Sequence, residues 1–131
     1  MLRLVAKNLE LKMSELGFLT THILDTARGC PANGVEVKLY RLEGGTRSHL
    51  VTMTTNNDGR TDQPILPAGD LSTGVYELVF MMGEYFRGHA PSSPYPFVDT
   101  VPIRFGVDDA SSHYHVPLLA SPFSFSTYRG S

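Results

Sequence analysis

His113 and His115 stand two residues apart in the run HYHVPLL, and strand spacing puts both imidazoles on one face, opposite Tyr114, Val116 and Leu118. Such a face carries imidazole, hydroxyl and apolar groups together, a mixture that suits a shared pocket better than bulk water. Two histidines at i and i+2 also suit chelation of a transition metal, although no third ligand stands at recognisable spacing. In FLTTHILD, His22 shares a strand face with Thr20 and Leu24. Arg60 directly follows the turn Asn56-Asn57-Asp58-Gly59 and offers a cation and a bidentate donor to a carbonyl-rich or anionic ligand. Near the end, Ser124, Ser126 and Tyr128 alternate with Phe123 and Phe125, and the polar tetrapeptide Tyr128-Arg129-Gly130-Ser131 follows. Plainer readings exist for two of these residues. Arg60 fits a strand-end arginine in a surface ion pair, which residue type alone favours, and His22 fits a satisfied structural histidine. His49 and His89 read as surface residues.

The chain that must position these groups has 131 residues, enough for one domain with a core of its own. Twelve glycines and nine prolines with 41% hydrophobic residues favour many short elements joined by turns, and so an all-β class. A net charge of −2 without any Lys/Arg-rich run supplies no footprint for phosphate neutralisation, which argues against nucleic acid as a partner. Cys30 is the single cysteine, so neither an intrachain disulfide nor a thiolate zinc set is available, and a reducing compartment fits. Its Gly-Cys-Pro turn reads as a place for an inert small residue.

Residues 1–16 read as an N-terminal extension, disordered or not native, with the domain over 17–131. Lys7 and Lys12 interrupt the apolar content of the extension, which therefore resembles neither a secretory signal nor a membrane span, and a soluble intracellular protein is expected. Arg3-Leu4 with Glu10-Leu11 comes near the N-terminal peroxisomal address, but Glu10 stands where that signal wants Gln or His. Met13 is an alternative start.

Alternation and turn signals predict eight strands. These are Phe18–Asp25, a second with Val35, Val37 and Leu39 on one face, Ser48–Thr55, a short one around Arg60–Ile65, an apolar central strand over Val75–Met82, one carrying Val101, Ile103, Phe105 and Val107, His113–Ala120, and Phe123–Tyr128. Thr26–Asn33 reads as a turn-rich connector, and Gly83–Ala90 has room for the one short helix before Pro91. No βαβ rhythm or internal repeat is present, so the pattern predicts a β-sandwich.

From about Phe18 to Ser131 the chain resembles the transthyretin-like family of 5-hydroxyisourate hydrolases. The resemblance rests on LTTHILDTARGCPANGVEV, GRTDQPIL, PYPF before VPIRFGV, HYHVPLL and the terminal YRGS, in that order. It extends to transthyretin, a hormone carrier, but the carrier branch lacks the motif residues that stand here as His22, Arg60, His115 and Tyr128-Arg129-Gly130-Ser131. The resemblance implies a transthyretin-like two-sheet β-sandwich of about eight strands with one short helix. It implies hydrolysis of 5-hydroxyisourate to 2-oxo-4-hydroxy-4-carboxy-5-ureidoimidazoline in urate degradation, by histidine-assisted attack of water on a cyclic amide-type bond. In that reading His22 and His115 position and deprotonate the water, and Arg60 binds substrate oxygens and offsets developing negative charge. Tyr128 contributes hydroxyl contacts, while Ser126, Arg129, Gly130 and Ser131 support the site. His113 has no catalytic role, since the motif places the functional histidine directly before Val116. No metal or other cofactor is implied. A homotetramer built as a dimer of dimers is expected, with no nucleic-acid or membrane partner, in the cytoplasm or, in a eukaryote, the peroxisome. The alternative is a non-catalytic carrier or binding module for a small aromatic anion.

Overall fold

The computed structural model describes residues 2–6, 16–89, 91 and 93–131. Most of the expected N-terminal extension, including Met13 and the Glu10-Leu11 pair, lies outside the described residues; residues 2–6 are helical. The strands are β1 (Phe18–Asp25), β2 (Cys30–Pro31), β3 (Glu36–Glu43), β4 (Thr46–Thr54), β5 (Gly74–Met81), β6 (Thr100–Val107), β7 (His113–Ser121) and β8 (Ser124–Thr127), with a helix over Met82–Arg87. They form two four-stranded sheets, ordered β2-β1-β7-β8 and β4-β3-β5-β6.

The alternation in the sequence becomes the two-layer packing directly. Leu19, Ile23, Val37, Leu39, Leu78, Phe80, Val101 and Leu118 are fully buried between the sheets, because each sheet can remove only one face of its pleat from water. β5, with five consecutive buried residues, runs between β3 and β6 as the central strand expected of its apolar run. The helix closes one end of the core with Met82, Tyr85 and Phe86. Its Tyr85 hydroxyl donates to the buried Asp25 at 2.7 Å, tying it to the opposite sheet. Burial first, then the Asp25 carboxylate, pushes the Tyr85 phenol up to about 12.

Two expected elements differ. Arg60–Ile65 is a loop, held to β1 by Ile23 N–H donating to Gly59 C=O at 2.8 Å and by a bridge between Leu19 and Leu66. Pro64 and Pro67 have no N–H to offer a regular ladder there. Conversely, Cys30–Pro31, inside the expected connector, pairs with Leu24 and Asp25 as β2. One strand is lost and one gained, so the total of eight stands among the described residues.

The pairing that positions the chemistry is β1 with β7, the parallel one among the ladders of the described residues. Thr20 lies beside His115 and His22 beside Pro117 in that register. Inward residues Leu19, Thr21, Ile23, Tyr114, Val116 and Leu118 are buried, which leaves Thr20, His22, His113 and His115 on the outer face.

Candidate active site

On that outer face, Thr20, His113 and His115, with the inward-turned Thr21 beside them, line a cleft of about 330 Å³, closed on another side by Arg60, Thr61, Asp62, Gln63 and Pro64 and bordered by Ser131. A wider hollow adjoins it, sharing His113, His115 and Ser131 and adding Ser112, Tyr128, Arg129 and Gly130. His22 borders neither hollow directly but lies close enough to Arg60 and His115 for their charges to act on one another. Ser126 sits opposite Leu119 in the β7–β8 register and also borders neither.

Arg60 owes its place to the turn before it. The Asn56 side-chain oxygen accepts from Asp58 N–H at 2.9 Å and Arg60 N–H at 3.3 Å, while Asn56 N–H donates to Arg60 C=O at 2.7 Å. Gly59 adopts φ +72°, and a Cβ there would lie 2.4 Å from the Ile23 carbonyl oxygen. Only glycine permits that turn to press so closely on β1, and the press delivers the Arg60 guanidinium to the cleft. No carboxylate pairs with Arg60 among the described residues; the ion pair of the plainer reading is absent.

The terminal tetrapeptide is anchored from the other side. Gly130 N–H donates to the His115 carbonyl at 2.8 Å, and a Cβ on Gly130 would stand 2.6 Å from His115 Cδ2, so the backbone backs the imidazole directly. Arg129 lays its guanidinium 4.0 Å from the centre of the Tyr114 ring, a cation–π contact that fastens the tail to the end of the sandwich. Tyr128 is 61% exposed.

Burial favours the neutral form of all three imidazoles. Desolvation lowers the pKa of His22 and His115, and the Arg60 guanidinium lowers both further; His113 is lowered by desolvation. His113 Nε2 and His115 Nδ1 turn to the same Thr20 hydroxyl, at 2.6 and 2.8 Å, and no group of three His, Cys, Asp or Glu side chains suited to a metal forms among the described residues. Neutral imidazoles with the Arg60 cation in the same cleft can accept a proton from water and stabilise an anionic oxygen.

Sequence reasoning did not single out Thr20, Thr61, Asp62, Gln63 or Pro64 as cleft residues; His113, to which it gave no catalytic role, also lines the cleft. The signals were present: Thr20 shares a strand face with His22, and the others belong to GRTDQPIL.

The model of the HIUase/Transthyretin family matches residues 19–130. The chain belongs to the HIUase/Transthyretin family. It is 56% identical over 120 residues to 5-hydroxyisourate hydrolase 2 of Rhizobium meliloti (strain 1021), covering 91% of this chain and 100% of that protein. Among solved structures, Klebsiella pneumoniae 5-hydroxyisourate hydrolase is 36% identical with a TM-score of 0.72, over 88% of this chain and 100% of that one. Sea bream transthyretin in complex with thyroxine is 26% identical with a TM-score of 0.76, over 86% and 93%. The identity is higher to these hydrolases than to this transthyretin.

Proposed function

We propose that this chain hydrolyses 5-hydroxyisourate to 2-oxo-4-hydroxy-4-carboxy-5-ureidoimidazoline, with His22, Arg60 and His115 as the catalytic residues and Tyr128 as a substrate contact. The observation that carries this reading is the cleft. It brings Arg60 from the GRT loop, His115 from β7 and Ser131 from the terminal tetrapeptide to one small cavity, with His22 beside it. By the resemblance, these belong to the motifs that the carriers lack.

In the reaction, a water loses a proton to a neutral imidazole as its oxygen adds to the ring carbonyl. The C–N bond then breaks, the carbonyl carbon becomes a carboxyl group and the leaving nitrogen takes up a proton. His22 and His115 hold and deprotonate that water, and their lowered pKa keeps the base form available at neutral pH. Arg60 offsets the charge that develops on the carbonyl oxygen. Ser126, Arg129, Gly130 and Ser131 support the site, Gly130 by direct contact with His115.

The assembly is a homotetramer, a dimer of dimers. Half-buried Leu24 and Leu119 lie on the same outer face as the chemistry, and Phe123 and Phe125 stand exposed at the edge strand β8. Apolar surface of that kind marks an interface. The cytoplasm is the location that suits the lone Cys30, and no helix among the described residues is long and apolar enough to cross a membrane.

The decisive experiment is ultraviolet decay of freshly generated 5-hydroxyisourate with and without the protein, in the presence and absence of a chelator. Acceleration insensitive to the chelator is expected. Decay at the spontaneous rate would leave the chain as a binding module of the carrier type.

A further inference from the structure

The Thr20 hydroxyl lies 2.6 Å from His113 Nε2 and 2.8 Å from His115 Nδ1, and among the described residues it has no other hydrogen-bond partner. A hydroxyl has one hydrogen to donate. It therefore donates to one of the two rings, and the other ring must present an N–H to its oxygen, or two lone pairs would face each other at contact distance. If both rings donated, the hydroxyl hydrogen would be left without an acceptor in a part-buried position.

The two imidazoles are thus linked, and two arrangements remain. In one, Thr20 donates to His113 Nε2 and accepts from His115 Nδ1–H, so both rings carry their hydrogen on Nδ1. In the other, Thr20 donates to His115 Nδ1 and accepts from His113 Nε2–H, so both carry it on Nε2. For His115 the second arrangement would place an N–H at the one ring nitrogen Thr20 does not use, in a cleft shared with the Arg60 cation. A lone pair is the better neighbour for a cation, which favours the first. The distances agree, since O–H donors make shorter bonds than N–H donors and the shorter contact is the one to His113. His113 is itself held, its ring stacked on Phe18 at 4.0 Å between centroids and 10° between planes.

We propose that Thr20 and His113 are positioning residues that hold His115, a ring that lines the cleft, as its Nδ1–H tautomer and leave its Nε2 with a bare lone pair. On the hydrolase reading, that lone pair is the one that takes the proton of the attacking water. His113 then matters to the reaction without touching substrate.

Long-range proton–nitrogen NMR correlation on ¹⁵N-histidine-labelled full-length protein, above the pH at which the rings titrate, reads the tautomers without reference to activity. Nδ1–H on both His113 and His115 is expected, and Nε2–H on His115 would overturn the proposal. In Thr20→Val, which keeps the shape and loses the hydroxyl, His115 should become a mixture of tautomers and kcat should fall about tenfold with less change in KM, below the roughly 100- to 10,000-fold worth of a general base. Thr20→Ser should restore both. His113→Phe keeps a ring against Phe18 but removes the acceptor, so the Thr20 hydroxyl should turn to His115 Nδ1 and drive His115 to Nε2–H. An unchanged His115 tautomer in both Thr20→Val and His113→Phe would also overturn the proposal. Wild-type protein that shows the Nδ1–H tautomer yet does not accelerate substrate decay would sink the hydrolase reading and leave the hydrogen-bond assignment standing.

Discussion

At the scale of single residues, His22, His113 and His115 share one property: each titrates below the ordinary imidazole value of 6.5 because burial disfavours the charged ring. Activity should therefore rise with pH to a plateau already reached near neutrality, with its acid limb below 6.5, and a profile still climbing well above that value would contradict a neutral-imidazole base. Stability follows with a definite sign. The unfolded chain binds these protons at higher pH than the folded one, so stability is complete above the unfolded value of 6.5 and declines as pH falls through it; denaturant midpoints on either side measure the loss. His115→Ala should lower kcat/KM by roughly 100- to 10,000-fold, whereas His113→Ala should cost about tenfold, since a general base is worth the first range and a positioning group less. Equal losses would point to one shared role for the pair. Strand parity was enough to put both histidines on the outer face, and motif resemblance gave them different expected roles. The Thr20 bridge between them depends on the lateral register of β1 against β7, about which a single sequence carries no signal.

At the scale of elements, the loop Thr55–Leu66 explains what the sequence could and could not disclose. Its turn was legible because Asn-Asn-Asp-Gly is turn chemistry in any context. The strand expected after it does not form, because Pro64 and Pro67 cannot donate to a ladder and β1 instead receives the loop at two separate points. The same tertiary demand creates β2 from two residues within a turn-rich connector. Gly59→Ala should therefore act on both stability and chemistry, since its Cβ would meet the Ile23 carbonyl at 2.4 Å in a backbone conformation that L-residues rarely adopt. A drop in thermal midpoint together with a larger loss of kcat/KM is expected, and a loss of stability alone would separate Arg60 from the turn that carries it. The tail makes the complementary case. Removing Tyr128–Ser131 should abolish catalysis with the sandwich intact by circular dichroism, because Tyr128 and Arg129 are exposed and β8 ends at Thr127. Loss of the fold with the activity would make the tail structural.

At the scale of the whole molecule, light scattering under assay conditions should find four chains per particle. A fully active single chain would show that the half-buried apolar face around Leu24 and Leu119 needs no cover. The two-sheet architecture was legible from alternation alone, but which strands became neighbours was not, because periodicity reports a strand's faces and never its partner. The partnership of β1 with β7 has a consequence in time. Strands β3, β4, β5 and β6 are joined by antiparallel pairing, largely between neighbours along the chain, whereas Thr20 and His115 are 95 positions apart. Closing so long a segment costs chain entropy before any contact rewards it, so the parallel ladder belongs to the late stages of folding. During refolding from denaturant, β-sheet signal should return ahead of hydrolytic capacity, with the catalyst appearing only in the slowest phase. A nascent chain would then be largely built before it can act.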